Sequence, residues 1–452
     1  MTGGGTFGWE PGEWTDDTSM SIPILQAAEA ARLDGGSLLD RLDDIAAAWV
    51  EWSLNAADVG IATRAVLGCG SSTAAGLHEA AAAMHRRTGR SAGNGSLMRT
   101  SPVALALLGD PEGTAEAARS ISELTHADEQ AGDACVLWCR AIQHALTEGA
   151  FDAYIGVDLI PDTRRDRWVS LLREAESTDA TAFTRNGWVV HALQAAWSLI
   201  SRTGTPPDAP ERGSYPADHL RLVIEGAARL AGDTDTVGAI AGALTGARWG
   251  ASAVPANWRR VVHGWPGLTG MDLARRGAAL AAGCDATGWP MAERLVYPGS
   301  AATGAIIRHP HDPGVLLGDV LALDDLPDEV EAVVSLCRIG TGQIPGINAR
   351  DRIEAWLLDT PDPARNPNLH FVLADTADTI AELRSEGKVV LVHCVAAQSR
   401  TPTIAAAYAI RHRGVDPATA LDEICSALPQ PRPNLAFREA IPAVALPERT
   451  AR

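Results

Sequence analysis

Two short acidic segments offer the clearest chemistry in this sequence, and they lie more than 200 residues apart. Residues 15–18 read Thr-Asp-Asp-Thr and residues 232–236 read Gly-Asp-Thr-Asp-Thr, with no Lys or Arg inside either segment. Crowded carboxylates without a cation repel one another, and burying them costs free energy. A divalent cation removes that cost, and oxygen ligands suit Mg²⁺, Mn²⁺ or Ca²⁺ better than zinc. The sequence therefore predicts a hard-metal site where the fold brings both segments together.

Helix capping is the alternative interpretation of the two segments. Asp and Thr are good N-cap residues, and both segments precede apolar, alanine-rich runs. One cap needs one such residue, whereas each segment offers three candidate oxygen ligands. This excess favours metal binding over capping alone.

The composition narrows the class of protein. At 452 residues the chain is long enough for two or three domains. A formal net charge of −18 argues against nucleic-acid binding, which needs basic patches that meet phosphates. No apolar stretch approaches the roughly 20 residues of a membrane span, no signal peptide opens the chain, and the cysteines show no CxxC spacing. We expect a cytoplasmic protein that binds neither membrane nor nucleic acid.

The elements that must position the acidic segments are helices. From residue 20 to about residue 247 the apolar pattern is mainly helical. The predicted helices cover residues 43–54, 76–87, 114–124, 128–147, 188–201 and 219–230. Twelve of the thirteen tryptophans lie at or before Trp289, which marks a change of character near residue 290.

The remainder of the chain mixes strands with helices. Residues 331–337 and 388–393 are predicted to be short buried strands, and residues 376–386 and 401–413 to be helices. This alternation predicts a small α/β domain with a parallel sheet. The chain is therefore predicted to be multidomain, with an all-α domain over residues 1–275, a linker over 276–318 and the α/β domain over 319–447.

Two further segments lie between the acidic ones. Residues 93–99 read Gly-Asn-Gly-Ser-Leu-Met-Arg, a tight turn entering a helix, where free N–H groups can meet phosphate oxygens. Residues 124–126 read Leu-Thr-His. Taken singly, such a turn is more typical of a plain loop, and a lone histidine is more typical of a cap or core position.

In this order, the four segments resemble the ADP-ribosylglycohydrolase family over roughly residues 1–275. The resemblance implies an all-α domain that holds two Mg²⁺ or Mn²⁺ ions and releases ADP-ribose from a modified arginine or serine. The implied metal ligands are Thr15, Asp16, Asp17, Asp233, Asp235 and Thr236. The residues implied to line the ADP-ribose cleft are Gly93, Asn94, Gly95, Ser96, Arg99 and His126.

The chemistry implied by this resemblance is hydrolysis of a glycosidic bond. Paired metals would bind ribose hydroxyls and lower the pKa of a water, which a carboxylate would direct at the bond. Asp17 or Asp235 is the candidate for this orienting base. The family also places a helix and, in some members, a catalytic glutamate ahead of the first acidic segment. Neither is found before Thr15, so we expect either that the start is set too late or that the domain has lost this helix and a catalytic carboxylate.

A second reactive segment follows a predicted strand and opens a predicted helix. Residues 393–401 read His-Cys-Val-Ala-Ala-Gln-Ser-Arg-Thr. Backbone N–H groups of such a loop can cradle phosphate oxygens, Arg400 can bind two of them, and the positive environment favours a thiolate nucleophile at Cys394. The rest of the predicted phosphate loop is His393, Val395, Ala396, Ala397, Gln398, Ser399 and Thr401. A buried structural cysteine beside an unrelated arginine is the alternative.

This segment resembles the cysteine-dependent protein phosphatases, particularly the dual-specificity group, over about residues 319–440. The resemblance implies a general acid ahead of the helix start at Asn368, for which Asp362 is the better match and Asp359 the second. The family usually has glycine where this chain has Ala397. If the loop needs a positive φ there, alanine costs about 1 kcal/mol or more.

We therefore predict a two-domain enzyme whose substrates are an ADP-ribosylated protein or small molecule and a phosphorylated molecule. Two alternatives stay open at this point. The chain could be a protein that binds ADP-ribose and phosphate without turnover. It could also be a phosphatase whose helical half is only regulatory.

Overall fold

The computed structural model describes residues 3, 4 and 7–445 of the chain. Residues 1, 2, 446 and 447, at the outer ends of the two predicted domains, lie outside the described residues. No helix within this described part is long and apolar enough to cross a membrane.

The first part of the chain is helical and carries one short hairpin. Its helices are α1 Asp16–Ser19, α2 Ser21–Asp34, α3 Leu42–Ser53, α4 Ile61–Leu67, α5 Ala74–Thr88, α6 Ser101–Ala106, α7 Pro111–Glu123, α8 Glu129–Glu148, α9 Asp162–Ser177, α10 Val189–Arg202, α11 Asp218–Ala228, α12 Thr234–Trp249, α13 Ala256–Arg259 and α14 Gly270–Ala282. The hairpin strands, β1 His263–Gly264 and β2 Leu268–Thr269, pair antiparallel just before α14. The helices predicted from the apolar pattern correspond to α3, α5, α7, α8, α10 and α11.

Helix α8 lies at the centre of the helical domain. Asp128 caps its start by accepting a hydrogen bond from the backbone N–H of Gln130, and Gly149 ends it with a φ of 62°. Helices α6, α7, α10 and α12 pack around it, and the buried Trp138 donates to the carbonyl of Ile240 over 2.9 Å. This apolar core fixes the position of α12, whose first turn contains the second acidic segment.

The second part of the chain is a five-stranded sheet with helices on one face. The strands are β3 Ile306–His309, β4 Asp312–Gly318, β5 Val330–Ser335, β6 Arg352–Glu354 and β7 Val389–His393, and the helices are α15 Leu369–Ser385, α16 Arg400–Arg413, α17 Ala420–Ala427 and α18 Leu435–Ala440. The strand order is β3-β4-β7-β5-β6. Strands β4, β7, β5 and β6 run parallel, and β3 is an antiparallel edge strand.

The fold class is as predicted, but the sheet begins earlier than the sequence pattern indicated. The segment 276–318, predicted to be a linker, contains the end of α14 and both strands β3 and β4. Strand β4 has an apolar run of only three residues, Val315, Leu316 and Leu317, flanked by glycines. Such a short run gives little periodicity, and its burial between β3 and β7 supplies the stability instead.

The two domains share one apolar core. Tyr215, Leu220 and Ala256 of the helical domain belong to the same buried cluster as residues of β4, β5, β7, α15 and α16. Tyr215 meets Phe371 of α15 edge to face, with ring centroids 5.8 Å apart. The helical domain therefore forms part of the wall that encloses the core of the second domain.

Candidate active sites

The first acidic segment and the second meet at the N-termini of α1 and α12. These two helices pack against each other, so residues more than 200 positions apart in sequence become neighbours. The N-cap residues are Thr15 and Asp233, and neither side chain forms a capping hydrogen bond. The hydroxyl of Thr15 instead donates to a carboxylate oxygen of Asp17 over 2.5 Å. Capping, the alternative interpretation, does not account for these side chains.

The carboxylates at this junction oppose one another's ionisation. Burial, together with the charges of Asp58 and Asp235, raises the pKa of Asp16 to about 7. Burial and the charge of Asp16 raise the pKa of Asp17 well above its ordinary value. One carboxylate oxygen of the buried Asp17, Oδ1, has no hydrogen-bond partner. The junction therefore carries an electrostatic cost that a bound cation would remove.

Asp58 belongs to this cluster although the sequence analysis did not identify it. Asp58 lines the same cleft as Asp16, and its pKa is raised by burial and by the charge of Asp235. Asp58 lies in the loop between α3 and α4, where a single aspartate carries no recognisable motif. No signal in the sequence distinguished it from an ordinary loop residue.

Asp233 is held by two asparagines from other parts of the chain. Asn94 donates through its amide to Asp233 over 2.6 Å and to the carbonyl of Asn186 over 2.8 Å. The side-chain oxygen of Asn186 accepts from the backbone N–H of Asp233 over 2.9 Å. Gly232 has a φ of +83°, and a Cβ there would lie 2.4 Å from the Asn186 Oδ1. Glycine is therefore required next to Asp233, and Asn186 is a second site residue that sequence reasoning missed.

The turn at residues 93–96 packs directly on His126. A Cβ on either Gly93 or Gly95 would lie 3.1 Å from the imidazole ring. His126 is buried beneath the turn, and burial lowers its pKa to about 3, so the ring is neutral at physiological pH. Ser96 is also buried. His126 therefore supports the turn from below and does not reach the cleft.

Arg99 lies in the core rather than on the cleft surface where the resemblance placed it. Its guanidinium stacks on Trp49, 3.9 Å from the ring centroid, and donates to the hydroxyl of Thr125 over 2.5 Å. Burial lowers the pKa of Arg99 to about 9, while the charge of Asp16 acts in the opposite direction. Arg99 is therefore a buried cation beneath the carboxylate cluster. The geometry does not support a contact between Arg99 and substrate.

The donors at the junction suit a hard divalent cation. They are carboxylate and hydroxyl oxygens, and Asp17 Oδ1 is buried without a partner. Of the residues that the structure describes, however, no three His, Cys, Asp or Glu side chains are already arranged to hold an ion. The charge of Asp16 nevertheless raises the pKa of Asp17, so these two carboxylates interact.

A cleft opens beside Asp16. Its volume is about 210 Å³, and it is lined by Trp9, Trp14, Trp52, Trp265, Glu13, Asp16 and Asp58, with smaller residues between them. None of the described residues that line it is Lys or Arg. Trp14 is fixed by the hairpin, since its indole N–H donates to the carbonyl of Trp265. The cleft thus combines aromatic faces with negative charge.

The second candidate site lies between β7 and α16. Cys394 follows the last residue of β7 and is 2 % exposed, and His393 is fully buried and shares a 2.7 Å hydrogen bond with Ser335. Val395, Ala396 and Gln398 are half-buried. Ala397 has a φ of 54°, and it is the one non-glycine residue of the described chain with a positive φ. The strain anticipated for alanine in this loop is therefore present.

The N-terminus of α16 closes the phosphate loop. Ser399 accepts from the backbone N–H of Asn434 over 3.3 Å, and the buried Thr401 donates to the carbonyl of Gly318 over 3.4 Å. Arg400, the first residue of α16, donates to the carbonyls of Leu336 and Leu357 over 3.0 and 3.1 Å. These bonds hold the guanidinium beside the loop that contains Cys394.

The structure brings Asp359, and not Asp362, to Arg400. The Asp359 carboxylate lies 3.8 Å from the Nε of Arg400 and accepts from the amide of Asn434 over 3.0 Å. Asp362 is exposed and caps a short turn by accepting from the backbone N–H of Ala364. Asp362, which the spacing favoured as the general acid, therefore caps a turn. Asp359, the second candidate, lies beside the arginine of the phosphate loop.

Two protein families match the chain, one in its helical part and one in its α/β part. A family model described as ADP-ribosylglycohydrolase matches residues 1–289, and one described as dual specificity phosphatase, catalytic domain, matches residues 347–444. The predicted resemblance to both families is confirmed. The fold class is confirmed as well, with a helical domain followed by an α/β domain.

Individual relatives match one half each. The ADP-ribosylarginine hydrolase Tri1 of Pseudomonas putida (strain GB-1) is 27% identical over 265 residues, which cover 57% of this chain and 64% of that protein. The ADP-ribosyl-[dinitrogen reductase] glycohydrolase of Rhodospirillum rubrum is 25% identical over 287 residues, covering 60% and 85%. Dual specificity phosphatase 28 of Homo sapiens is 31% identical over 125 residues, covering 28% and 70%. The chain thus spans less than two thirds of the length of the first of these relatives.

Proposed function

The chain belongs to the ADP-ribosylglycohydrolase family, and we propose that its helical domain releases ADP-ribose from a modified arginine side chain. The observation that carries this proposal is the unneutralised carboxylate cluster at the N-termini of α1 and α12, beside a cleft of tryptophans and carboxylates. A guanidinium is planar and cationic, so it suits stacking on indole rings and pairing with carboxylates. A serine side chain is neutral and not planar, so it would neither stack on the indole rings nor pair with the carboxylates.

The cluster would hold two Mg²⁺ or Mn²⁺ ions. Their ligands would come from Thr15, Asp16, Asp17, Asp233, Asp235 and Thr236, all at the junction of the two helices. When bound, the ions would supply positive charge for the ribose hydroxyls and increase the acidity of a nearby water. The partnerless oxygen of Asp17 supports this assignment, because an ion would satisfy it.

The protein groups have their own part in breaking the bond. Positive charge develops on the ribose as the glycosidic bond lengthens, and the crowded carboxylates stabilise that charge. Asp58 lies at the cleft, and burial together with the charge of Asp235 raises the pKa of its carboxyl, as suits a group that exchanges protons with a water. Asp58 therefore joins Asp17 and Asp235 as a candidate for the base that orients the attacking water.

The test is release of free ADP-ribose from ADP-ribosyl-arginine and ADP-ribosyl-serine peptides, with Mg²⁺ and with EDTA. We expect metal-dependent release from the arginine peptide, lost in Asp17→Asn and retained in Asp162→Asn, which alters an exposed carboxylate of α9. Release from the serine peptide alone would overturn the arginine assignment. No release from either peptide, by a folded chain, would favour a protein that binds ADP-ribose without turnover.

A second activity is favoured by the arrangement around Cys394. We propose that the α/β domain removes phosphate from a monoester. The Cys394 thiolate attacks phosphorus, and an S–P bond forms as the ester P–O bond breaks. The leaving oxygen takes a proton from Asp359, while Arg400 binds the phosphoryl oxygens. Water then attacks phosphorus, the S–P bond breaks, phosphate leaves and Asp359 regains a proton.

Hydrolysis of 4-nitrophenyl phosphate by the full chain tests this second activity. Turnover that disappears in Cys394→Ser would support it. Tungstate or phosphate binding without turnover would instead indicate a phosphate-binding domain.

A further inference from the structure

The segment that carries Asp359 is attached to the helical domain at both of its ends. This acid segment, residues 355–367, runs from the end of β6 to the start of α15. The residue before it, Glu354, and the residue after it, Asn368, each contact the helical domain through buried polar groups. The geometry of the second site therefore depends on residues of the first domain.

The first attachment is a buried ion pair. Arg275 of α14 donates to the carboxylate of Glu354 over 2.7 Å, and the two side chains are 4% and 7% exposed. Arg259 of α13 donates to the backbone carbonyl of Glu354 over 2.7 Å. The other carboxylate oxygen of Glu354 accepts from the indole N–H of Trp356 over 2.9 Å. Arg275 thus reaches the acid segment through a single side chain.

The second attachment is at the N-cap of α15. The Asn368 amide donates to the carbonyl of Trp249 over 2.8 Å and to the hydroxyl of Ser252 over 2.9 Å, both in the helical domain. Two residues further on, His370 lies 3.2 Å from a carboxylate oxygen of Asp208. These contacts fix where the acid segment ends.

Between its attachments the segment is closed on itself. The side-chain oxygen of Asn366 accepts from the backbone N–H of Leu358, and its amide donates to the Leu358 carbonyl, each over 2.9 Å. The neighbouring Leu357 carbonyl accepts from Arg400. Asp359 directly follows Leu358 and so lies inside this closed loop. A shift of either end of the segment therefore moves its carboxylate relative to Arg400 and Cys394.

We propose that Arg275 and Asn368 are positioning residues for the phosphatase site, which place Asp359 so that it can protonate the leaving oxygen. The helical domain then completes the second active site without touching its substrate. This inference rests on the proposed phosphatase function.

A leaving-group comparison separates positioning of the acid from general damage to the fold. Phenyl phosphate has a poor leaving group and needs the proton, whereas 4-nitrophenyl phosphate has a good one and needs it far less. We would compare kcat/KM for both substrates in the full chain and in Arg275→Ala, Asn368→Ala and Asp359→Asn. The matched control is Arg260→Ala, because Arg260 is equally buried and pairs with Asp351 across the domains, but does not contact the acid segment.

We expect Arg275→Ala and Asn368→Ala to follow Asp359→Asn. Activity on phenyl phosphate should fall roughly a hundredfold, with a loss below about threefold on 4-nitrophenyl phosphate. The fall in rate at high pH, which reports the need for a protonated acid, should flatten in the same variants. Arg260→Ala should lose activity on both substrates by the same small factor.

Equal losses on the two substrates in both Arg275→Ala and Asn368→Ala would overturn the inference while leaving the phosphatase function intact. A wild-type chain that hydrolyses neither substrate would overturn both. Backbone hydrogen exchange adds a readout that needs no activity, and it should accelerate over residues 355–367 in Arg275→Ala but not in Arg260→Ala. Unchanged exchange in that segment would also contradict the inference.

Discussion

The carboxylate cluster of the helical domain and the phosphate loop of the α/β domain are built in opposite ways. The cluster assembles residues more than 200 positions apart, and its cost is electrostatic, seen in the raised pKa of Asp16 and the partnerless Asp17 oxygen. The phosphate loop is contiguous in sequence, and its cost is conformational, seen in the φ of 54° at Ala397. A cation can remove the first cost, whereas only a change of residue can remove the second.

The two sites therefore differ in whether their stability depends on a bound cation. Binding of a cation lowers the free energy of the cluster, so the stability of this site depends on the cation concentration in solution. The loop, by contrast, is held by backbone and Arg400 contacts that do not depend on a cation. The following experiments would break or sharpen this contrast, beginning with the largest expected effect.

Separation of the two activities is the strongest test. Cys394→Ser should lower phosphatase turnover by about a thousandfold or more, because it removes the nucleophile, and should leave ADP-ribose release unchanged. Asp17→Asn should lower ADP-ribose release roughly a hundredfold or more and leave phosphatase turnover unchanged. Both rates are measured on each variant. Loss of both activities in Cys394→Ser would contradict two independent sites.

Asp359 and Asp362 should differ sharply. Asp359→Asn is expected to lower turnover of phenyl phosphate roughly a hundredfold, because the leaving oxygen then lacks a proton donor. Asp362→Asn should change it less than about threefold, since that side chain caps an exposed turn. Steady-state kinetics of the two variants decides between these residues. A larger loss in Asp362→Asn would identify Asp362 as the general acid instead.

The cluster should make the metal-free protein less stable as pH rises. The pKa of Asp16 is about 7 in the folded chain, above the 3.8 of an aspartate in an unfolded chain, so ionisation opposes folding. The stabilising contribution is complete below pH 3.8 and is lost as pH rises through about 7. Mg²⁺ binds the ionised form, so it should raise Tm by several degrees more at pH 8 than at pH 5. The same Mg²⁺-dependent rise in Asp17→Asn would argue against this site.

Gly232 should be the position in the cluster that tolerates a methyl group least. Gly232→Ala is expected to cost roughly 1–3 kcal/mol and to weaken metal binding, because the new Cβ meets the Asn186 side chain. Gly250→Ala is the matched control, with a φ of +77° and nothing within 4 Å of the added atom. Urea unfolding and Mg²⁺ titration of both variants measure the difference. Equal losses would assign the whole effect to backbone conformation.

The smallest effect is expected in the phosphate loop. Ala397→Gly should raise the free energy of unfolding by about 0.5–1 kcal/mol, because relief of the positive φ outweighs the greater freedom of the unfolded chain. Ala396 has no positive φ to relieve, so Ala396→Gly should lower the free energy of unfolding by a similar amount. Chemical unfolding distinguishes the two variants. Destabilisation in both would show that the loop carries no strain at Ala397.

The sequence predicted the two sites unequally well. Residues 393–401 lie in one segment, so the order of strand, loop and helix was sufficient to place Cys394 and Arg400. The acidic segments were recognisable because several carboxylates and hydroxyls stand together in each. Asp58 and Asn186 were not, since each is a single polar residue whose role arises only from the packing of distant elements.

Differences between the expected and the observed positions of side chains and strands had the same origin. The resemblance implied that Arg99 and His126 line the cleft, but both side chains are buried, His126 beneath the turn at residues 93–96 and Arg99 against Trp49. Strand β4 went unrecognised because its stability comes from neighbours on both sides rather than from its own pattern. Asp359 was ranked second because spacing along a loop does not reveal which residue caps a turn.

The apolar cluster shared by the domains also governs how the molecule can come apart. Tyr215, Leu220 and Ala256 complete a core whose other members lie in the sheet and its helices. Separating the two domains would expose both sides of that contact to water at once. We therefore expect the two domains to unfold as one cooperative unit on heating, and exchange of either domain by recombination to require repacking of the other.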